Sequence, residues 1–442
     1  MAKVLIAGLG VSGRATARYF ARNNLAFGLA DENISGEDKL DFKDRYRESQ
    51  QHFGDLDVAF LKEYETIVLS PGISRKQPSI AAAIDAGVEV ISDIEVFARA
   101  VDAPVVAVTG SNGKSTVVHL LNEMALAANL DARLGGNYGI AALDLLEEPQ
   151  AELYILELSS FQLESTFSLK PAAAVVLNIS EDHMDRYDSI PEYSAAKEKI
   201  YKQAAQQIVN RDDIQARELA ASSSTMGFGL DAPKNGDFGI LKIDDQEWLA
   251  QGETALLPVS ELKILGRHNI SNALAALCLG AAVNIPMASM LSALRDYRGL
   301  PHRTQWVADL DGVIWVNDSK ATNVGATQAA LSGVDAEVIL IAGGQAKGAD
   351  LTPLAGAANG VVKTAILFGE DAAELEVVLS DTCKVLRVDD LPAAVFEAHA
   401  AAEFGDLVLL SPACASLDMF SNYAERGDVF SRLVNGLREV EK

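Results

Sequence analysis

Residues Val105 to Thr116 read VVAVTGSNGKST, and this stretch decides the fold. Small and β-branched apolar residues from Val105 to Val108 read as a buried strand, Gly110, Asn112 and Gly113 break it, and Lys114, Ser115 and Thr116 open a helical pattern. Strand, glycine loop and helix in that order make a phosphate loop. The glycines let backbone N–H groups turn toward a phosphate, and the helix N-terminus adds its positive dipole. Lys114 can reach the outer phosphates, and the Ser115 hydroxyl suits Mg²⁺. Gly110, Ser111, Asn112, Gly113, Lys114, Ser115 and Thr116 are therefore the candidate contacts of a nucleotide. The longer form of the motif would carry a glycine where Val108 stands, so only the shorter G-x-x-G-K-S form is present.

A chain of 442 residues has room for roughly three domains of about 150 residues, each with its own core. The net charge of −25 is spread along the chain, which disfavours generic attraction to nucleic acid or an anionic membrane. An anionic substrate would need locally basic pockets. Cys278, Cys383 and Cys414 are few, scattered and odd in number, against a disulfide framework and in keeping with a reducing cytoplasm. The longest apolar run, around Ala273 to Val283, is too short to span a bilayer, so a cytoplasmic protein is expected.

Outward from the phosphate loop, the chain opens with KVLIAGLGVSGRATARYFARN, a short strand running into a helix. It holds Gly8-x-Gly10-x-x-Gly13, and Asp31 ends the next strand-like segment, AFGLAD. Glycine turn plus ribose-binding acid is the fingerprint of a dinucleotide fold, so a nicotinamide-dependent oxidoreductase is one reading. Any Rossmann-like domain seating a nucleotide diphosphate on a helix N-terminus fits equally. A second turn, Ser70-Pro71-Gly72-Ile73, follows the strand TIVL.

After the phosphate loop, Gly135-Gly136-Asn137-Tyr138-Gly139 reads as a loop and LYILEL as a buried strand ending in Glu157. A carboxylate at a strand end near a phosphate loop is suited to Mg²⁺. AAVVLNISEDHMDRY leads to Asp182, His183, Asp185 and Arg186; His183 is a ligand candidate only beside such a nucleotide. IPEYSAAKEKIYKQA is helical, and by composition alone its Lys197 and Lys199 are solvated. Short strands from about Thr225 to Pro258 predict a β insertion at the edge of the middle domain. In the helix GRHNISNALAALCLGAAV, Asn269 and Asn272 share a face, and buried asparagines call for partners such as an adenine or ribose. A linker runs through Gly299-Leu300-Pro301. Beyond it VIWVND, EVILIAGG, TAILFG, CKVLRV and DLVLLSP alternate with helical segments, with polar residues at the strand ends, where open α/β sheets bind ligands.

The set GSNGKST, ELSSFQLE, DHMDRY, HNISNAL, LPHR, NDSKATN and LSPACASLD, in this order over essentially the whole chain, resembles the Mur ligases of peptidoglycan synthesis, and among them the members that add D-glutamate. That family also uses the short phosphate loop. The resemblance implies an α/β protein of three domains. These are an N-terminal Rossmann-like UDP-sugar domain (1–93), a central ATP-binding P-loop domain with a mostly parallel sheet and a small β edge (94–299), and a C-terminal Rossmann-like amino-acid domain (300–442). By similarity, Gly10, Val11, Ser12 and Gly13 would seat the UDP diphosphate, Asp31 and Glu32 the uridine, and Ser70, Pro71, Gly72 and Ile73 the sugar nucleotide. Asn137 would lie near the substrate, with Tyr138 beside it where a small aliphatic residue is commoner.

The activity implied is ATP-dependent amide formation between UDP-N-acetylmuramoyl-L-alanine and D-glutamate through an acyl phosphate. Lys114, His183, Lys197 and Lys320 would be catalytic. Ser115 and Glu157 would hold one Mg²⁺, and His183 with Lys197 a second. An ammonium cannot ligate a metal, so the resemblance also implies that Lys197 is carbamylated by CO₂. Asn269, Asn272, Arg303, Asp318 and Lys320 would hold the nucleotide, and Thr322, Lys347, Ser416, Leu417 and Tyr423 the D-glutamate, with Tyr423 replacing an expected phenylalanine. A monomer with no nucleic-acid or membrane partner is expected. A sister ligase adding another amino acid would share the ATPase core and is the second alternative.

Overall fold

Five short strands pair in parallel to build the first sheet: β1 (Val4–Ala7), β2 (Gly28–Asp31), β3 (Gln51–Phe53), β4 (Thr66–Leu69) and β5 (Glu89–Ile91), in the order β3-β2-β1-β4-β5. A parallel sheet is covered on both faces, which is why Leu5, Ile6 and Ala7 are all buried without alternation. The order reverses between β1 and β4, and such a switch point opens the crevice where ligands bind. The computed structural model describes residues 3–440 except 148, 185, 221–224, 235, 265, 333 and 335.

The second sheet contains β6 (Val105–Thr109), β7 (Ala132–Gly136), β8 (Leu153–Glu157), β9 (Ala173–Val176), β10 (Gln206–Asn210), β11 (Thr225–Phe228), β12 (Phe238–Ile243), β13 (Gln246–Gln251) and β14 (Thr254–Pro258). Its order is β14-β13-β12-β11-β10-β9-β6-β8-β7, which sets the phosphate-loop strand β6 between β8 and β9. The strands from Thr225 to Pro258 form the β edge of this sheet: β11 pairs in parallel with β10 and β12, and the pairs β12–β13 and β13–β14 are antiparallel. Gly135 and Gly136 are likewise not loop residues. They end β7 opposite Leu156 and Glu157, and a Cβ on Gly136 would lie 2.3 Å from the Glu157 carbonyl oxygen, so glycine permits the close pairing.

The third sheet holds β15 (Gln305–Leu310), β16 (Val313–Asn317), β17 (Val338–Gly343), β18 (Val362–Phe368), β19 (Lys384–Arg387) and β20 (Leu407–Leu410), in the order β15-β16-β20-β17-β18-β19. All pairs are parallel except β15–β16, a hairpin the strand reading missed. Asp311-Gly312 closes it with φ of 51° and 80°, and an Asp-Gly pair between apolar runs is the signal that would have found it.

The chain divides into two compact units, residues 1–259 with 271–294, and residues 260–270 with 295–442. The first contains the first two sheets. A shared buried cluster runs through it from Ile6, Ala17 and Phe97 to Tyr154, Leu156 and Tyr193. The second contains the third sheet, with apolar layers on both faces, around Leu340 on one side and Trp315 on the other. Among the described residues no helix is long and apolar enough to cross a membrane.

Candidate active site

The turn after β6 depends on two glycines with positive φ, Gly110 (151°) and Gly113 (83°); a Cβ on Gly113 would lie 2.4 Å from Asn272 Oδ1. Lys114 is the first residue of the helix Lys114–Ala127. Its Nζ donates to the carbonyls of Gly110 (2.8 Å) and Ser111 (2.9 Å). The loop is braced from the segment after β9. The Asn112 N–H donates to Asn178 Oδ1 (2.8 Å), Asn178 Nδ2 donates to the Asn112 carbonyl (3.1 Å), and the Ser111 hydroxyl donates to the Ser180 carbonyl (3.1 Å). Backbone and side chains thus hold the cradle open, and Thr116 continues the helix behind it.

The parallel register of β6 and β8 sets Val108 opposite Glu157, which brings the Glu157 carboxylate under the loop. Ser115 Oγ donates to Glu157 Oε2 at 2.7 Å, and Asn137 Nδ2 donates to Oε1 at 2.7 Å. Glu157 is only 2% exposed. Ser115, Glu157 and Asn137, far apart in sequence, therefore form one cluster of oxygen and amide groups beside the phosphate cradle. Hard oxygen donors of this kind suit Mg²⁺, which takes one or two protein ligands and completes its shell with water and phosphate oxygens.

Lys197 overturns its reading as a solvated lysine: it is 2% exposed. The helix Ile190–Glu198 turns this residue onto the end of β6, where Nζ donates to the Gly110 carbonyl (3.0 Å) and Thr109 Oγ1 (3.3 Å) and lies 4.6 Å from the centre of the Tyr193 ring. Burial, reinforced by the charge of Lys114, lowers its pKa to about 7, against the opposing pull of Asp182 and Glu157. Lys199, two residues on, stays exposed. His183 sits at a corner with φ 56°, its ring 4.8 Å from that of Phe161 and Nε2 3.5 Å from Asp182. Among the described residues His183 and Lys197 share no direct bond, and Asp185 lies outside the described residues.

The first glycine loop packs as its motif requires. A Cβ on Gly13 would lie 1.9 Å from the Gly8 carbonyl oxygen, so only glycine lets the helix Val11–Arg22 approach β1 so closely. Gly10 caps that helix and Val11 is exposed beside it. Asp31 Oδ2 accepts the Leu9 N–H (2.6 Å), and Ser70 Oγ donates to the Gly8 carbonyl (2.6 Å). Glu32 Oε1 accepts from the Leu56 N–H (3.1 Å) and Gln77 (3.0 Å). The carbonyls of Pro71 and Ile73, flanking Gly72, accept from Arg186. Ser12 bonds the buried carboxyl of Asp93, whose pKa burial pushes up against bonds from Ser12 and Gln162.

Three family models match the chain: "Mur ligase MurD-like, N-terminal domain" over residues 2–92, "Mur ligase middle domain" over 108–280, and "Mur ligase, glutamate ligase domain" over 302–414. The UDP-N-acetylmuramoylalanine–D-glutamate ligase of Pseudomonas fluorescens is 46% identical over 438 residues, covering 98% of each chain. The chain belongs to the Mur ligase family, in its D-glutamate-adding branch. The ligase of the same name from Nitrosococcus oceani is 44% identical over 433 residues, 97% of this chain and 96% of that one. Two solved Mur ligases share the fold. UDP-N-acetylmuramate-alanine ligase from Thermotoga maritima has a TM-score of 0.56 at 17% identity, covering 98% of this chain and 99% of that one. UDP-N-acetylmuramoyl-L-alanyl-D-glutamate–2,6-diaminopimelate ligase has a TM-score of 0.61 at 18% identity, covering 87% and 94%.

In the second unit of this Mur ligase the polar strand ends also converge. Asp318 accepts from the Thr304 N–H (3.0 Å) and the Ser411 hydroxyl (2.9 Å), and burial pushes its pKa up to about 6, opposed by those bonds and by the charge of Arg303. The Lys320 ammonium lies 5.2 Å from the centre of the Tyr423 ring, and the Thr322 N–H donates to the Lys320 carbonyl (2.8 Å). Lys347 takes a left-handed φ of 57°. Ser416 is buried and its carbonyl accepts from Met419 and Phe420, whereas Leu417 is exposed. Asn269 belongs to this unit and Asn272 to the first; both are buried on the helix Arg267–Ala282.

Sequence reading missed Arg426, the hub of this edge. Fully buried, it donates to Ser319 Oγ (3.0 Å) and to the carbonyls of Ser319 (2.9 Å), Gly343 (3.2 Å) and Cys414 (3.1 Å), so one guanidinium ties three loops. Burial lowers its pKa to about 10. Asn178 and Asp93 were missed in the same way, and Arg186 was named without a role, because bonds to groups distant in sequence leave no local pattern.

Proposed function

We propose that this Mur ligase joins D-glutamate to UDP-N-acetylmuramoyl-L-alanine in the cytoplasm, as a monomer and without nucleic-acid or membrane partners, driven by ATP. Residues 1–93 would form the UDP-sugar domain, 94–299 the ATPase and 300–442 the amino-acid domain. The observation that carries the reading is the convergence of Lys114 and Lys197 on the Gly110 carbonyl beside the Ser115–Glu157 pair, which supplies cations and oxygen donors at one phosphate cradle.

In the proposed reaction the terminal carboxylate of the sugar nucleotide attacks the γ-phosphorus of ATP, the bond to the bridging oxygen breaks, and ADP leaves. The resulting acyl phosphate is attacked by the amine of D-glutamate. Collapse of the tetrahedral intermediate forms the amide and expels phosphate, with loss of the amine proton. Two anions must meet, so catalysis rests on positioning and on cations. Lys114 would leave its two loop carbonyls to follow the migrating phosphoryl group. Bound Mg²⁺, held by Ser115 and Glu157 and in a second position by His183 with a carbamylated Lys197, would neutralise phosphate charge. The lowered pKa of Lys197 supports that modification, since only a neutral amine reacts with CO₂. The glycine loop with Asp31 and Glu32 and the Ser70–Ile73 turn would seat the sugar nucleotide. Thr322, Lys347, Ser416, Leu417 and Tyr423 would face D-glutamate.

Hydroxylamine supplied in place of the amino acid tests the acyl phosphate. With ATP and UDP-N-acetylmuramoyl-L-alanine the enzyme should release phosphate and form the hydroxamate of the sugar nucleotide; no hydroxamate alongside normal turnover with D-glutamate would contradict the intermediate.

A further inference from the structure

The Ser70–Ile73 turn is held from outside its own sheet. Arg186 Nη1 donates to the Pro71 carbonyl at 2.7 Å and Nη2 to the Ile73 carbonyl at 3.1 Å. The guanidinium lies 3.9 Å from the centre of the Phe161 ring and 3.6 Å from the Glu164 carboxylate, with its side chain 13% exposed. The same residue closes the turn that begins at His183: the N–H groups of Arg186 and Tyr187 both donate to the His183 carbonyl, at 2.9 and 3.2 Å. Arg186 and Ile73 are 113 residues apart in sequence, so contacts rather than chain connectivity fix the two turns relative to each other.

Other groups cross this boundary. Arg75 donates to Ser165 Oγ (2.8 Å), and Lys76 pairs with Asp188 and Glu192. The Lys76 pairs are solvated and of the kind worth little. Arg186 differs, because its planar fork meets two carbonyls of one turn from a half-enclosed position over an aromatic face, a geometry that an ammonium does not reproduce.

We infer that Arg186 is a positioning residue for the sugar-nucleotide substrate. It sets the Ser70–Ile73 turn against the His183 corner, and so aims the substrate's carboxylate at the phosphate cradle. The inference rests on the reading of Ser70–Ile73 as a sugar-nucleotide contact. Acyl phosphate formation demands near-attack geometry, and a shift of about 1 Å costs on the order of 10²-fold in rate.

Steady-state kinetics of Arg186→Lys and Arg186→Ala, with Ser70→Ala alongside, test it. Both Arg186 variants should raise the KM for UDP-N-acetylmuramoyl-L-alanine by about tenfold or more and lower kcat, with the KM for ATP changed by less than about twofold. Calorimetric affinity for UDP alone should be unaltered. Ethylguanidinium should restore part of the lost efficiency to Arg186→Ala and none to Arg186→Lys. An unchanged KM in the Arg186 variants while Ser70→Ala raises it would overturn the role of Arg186 alone. If Ser70→Ala also leaves it unchanged, the turn itself has been misassigned. Parallel rises in both KM values, or failure of both Arg186 variants to fold, would mark the residue as structural and equally overturn the inference.

Discussion

Lys114 and Lys197 donate to the same acceptor, the carbonyl oxygen of Gly110, at 2.8 and 3.0 Å. Two ammonium groups on one carbonyl repel, and the buried one yields: desolvation first, then the charge of Lys114, lowers Lys197 to about 7. Without its proton, that amine can become an anion-bearing carbamate; with it, the protein bears an unfavourable charge.

Stability should therefore depend on pH through Lys197. Its folded pKa of about 7 lies below its ordinary value of 10.5, so between them the unfolded chain binds a proton that the folded chain does not. Stability from this group then rises with pH from about 7 to about 10.5, and below about 7 the folded state carries the full cost of burying the charge. Lys197→Met, compared with the parent by thermal unfolding in CO₂-free buffer, should be stabilised most near neutral pH, the gap closing toward pH 10. A gap that does not vary with pH would show that Lys197 is not buried as a charge.

Removal of the other lysine separates chemistry from folding. Lys114 bonds loop carbonyls rather than filling a core, so Lys114→Ala should keep its circular dichroism and melting profile. Its ATP-dependent phosphate release should fall by on the order of 10³-fold, as for a lost charge-stabilising donor. Near-normal release by the folded variant would remove the phosphate loop from the mechanism.

Glu157→Gln keeps a side chain able to bond Ser115 and Asn137 but loses the negative charge. The Mg²⁺ concentration for half-maximal activity should rise by about tenfold or more, while the melting temperature moves little. An unshifted Mg²⁺ titration would return Glu157 to a purely structural role bracing Ser115 and Asn137.

The sheets were largely legible in the sequence, because parallel strands buried on both faces appear as continuous aliphatic runs such as VVAVT, LYILE and VILIAG. What escaped was set by tertiary approach. Gly135 and Gly136 look like loop residues until the carbonyl of Glu157 is seen 2.3 Å from the missing Cβ of Gly136. β15, QWVADL, carries no continuous aliphatic run, and Asp311-Gly312 is the local signal of its hairpin. In the site, Lys114, Ser115 and Glu157 follow from a motif and a strand end. The burial of Lys197 does not, because SAAKEK mixes polar and small residues around the helix and only packing on β6 selects the face. Arg186 and Arg426 act on backbone carbonyls far away in sequence, and no spacing rule announces such bonds.

Lys347 is the cation proposed for a carboxylate of D-glutamate. Losing the partner of a desolvated carboxylate weakens binding of that ligand specifically, so Lys347→Ala should raise the KM for D-glutamate by at least about tenfold with the KM for ATP nearly constant. Equal effects on both constants, or none, would place the amino-acid pocket elsewhere.

A ligase of the D-glutamate-adding branch must discriminate between the two glutamate enantiomers. Pinning both carboxylates turns the amine of the opposite enantiomer away from the acyl phosphate, and a misplacement of about 1 Å costs on the order of 10²-fold in rate. Phosphate release from ATP with UDP-N-acetylmuramoyl-L-alanine, measured against a panel of amino acids including both glutamate enantiomers, tests this most directly. Rapid release and a new amide product are expected with D-glutamate, and little with L-glutamate, L-alanine or a diamino acid. Equal use of L-glutamate, or a preference for another amino acid, would contradict it.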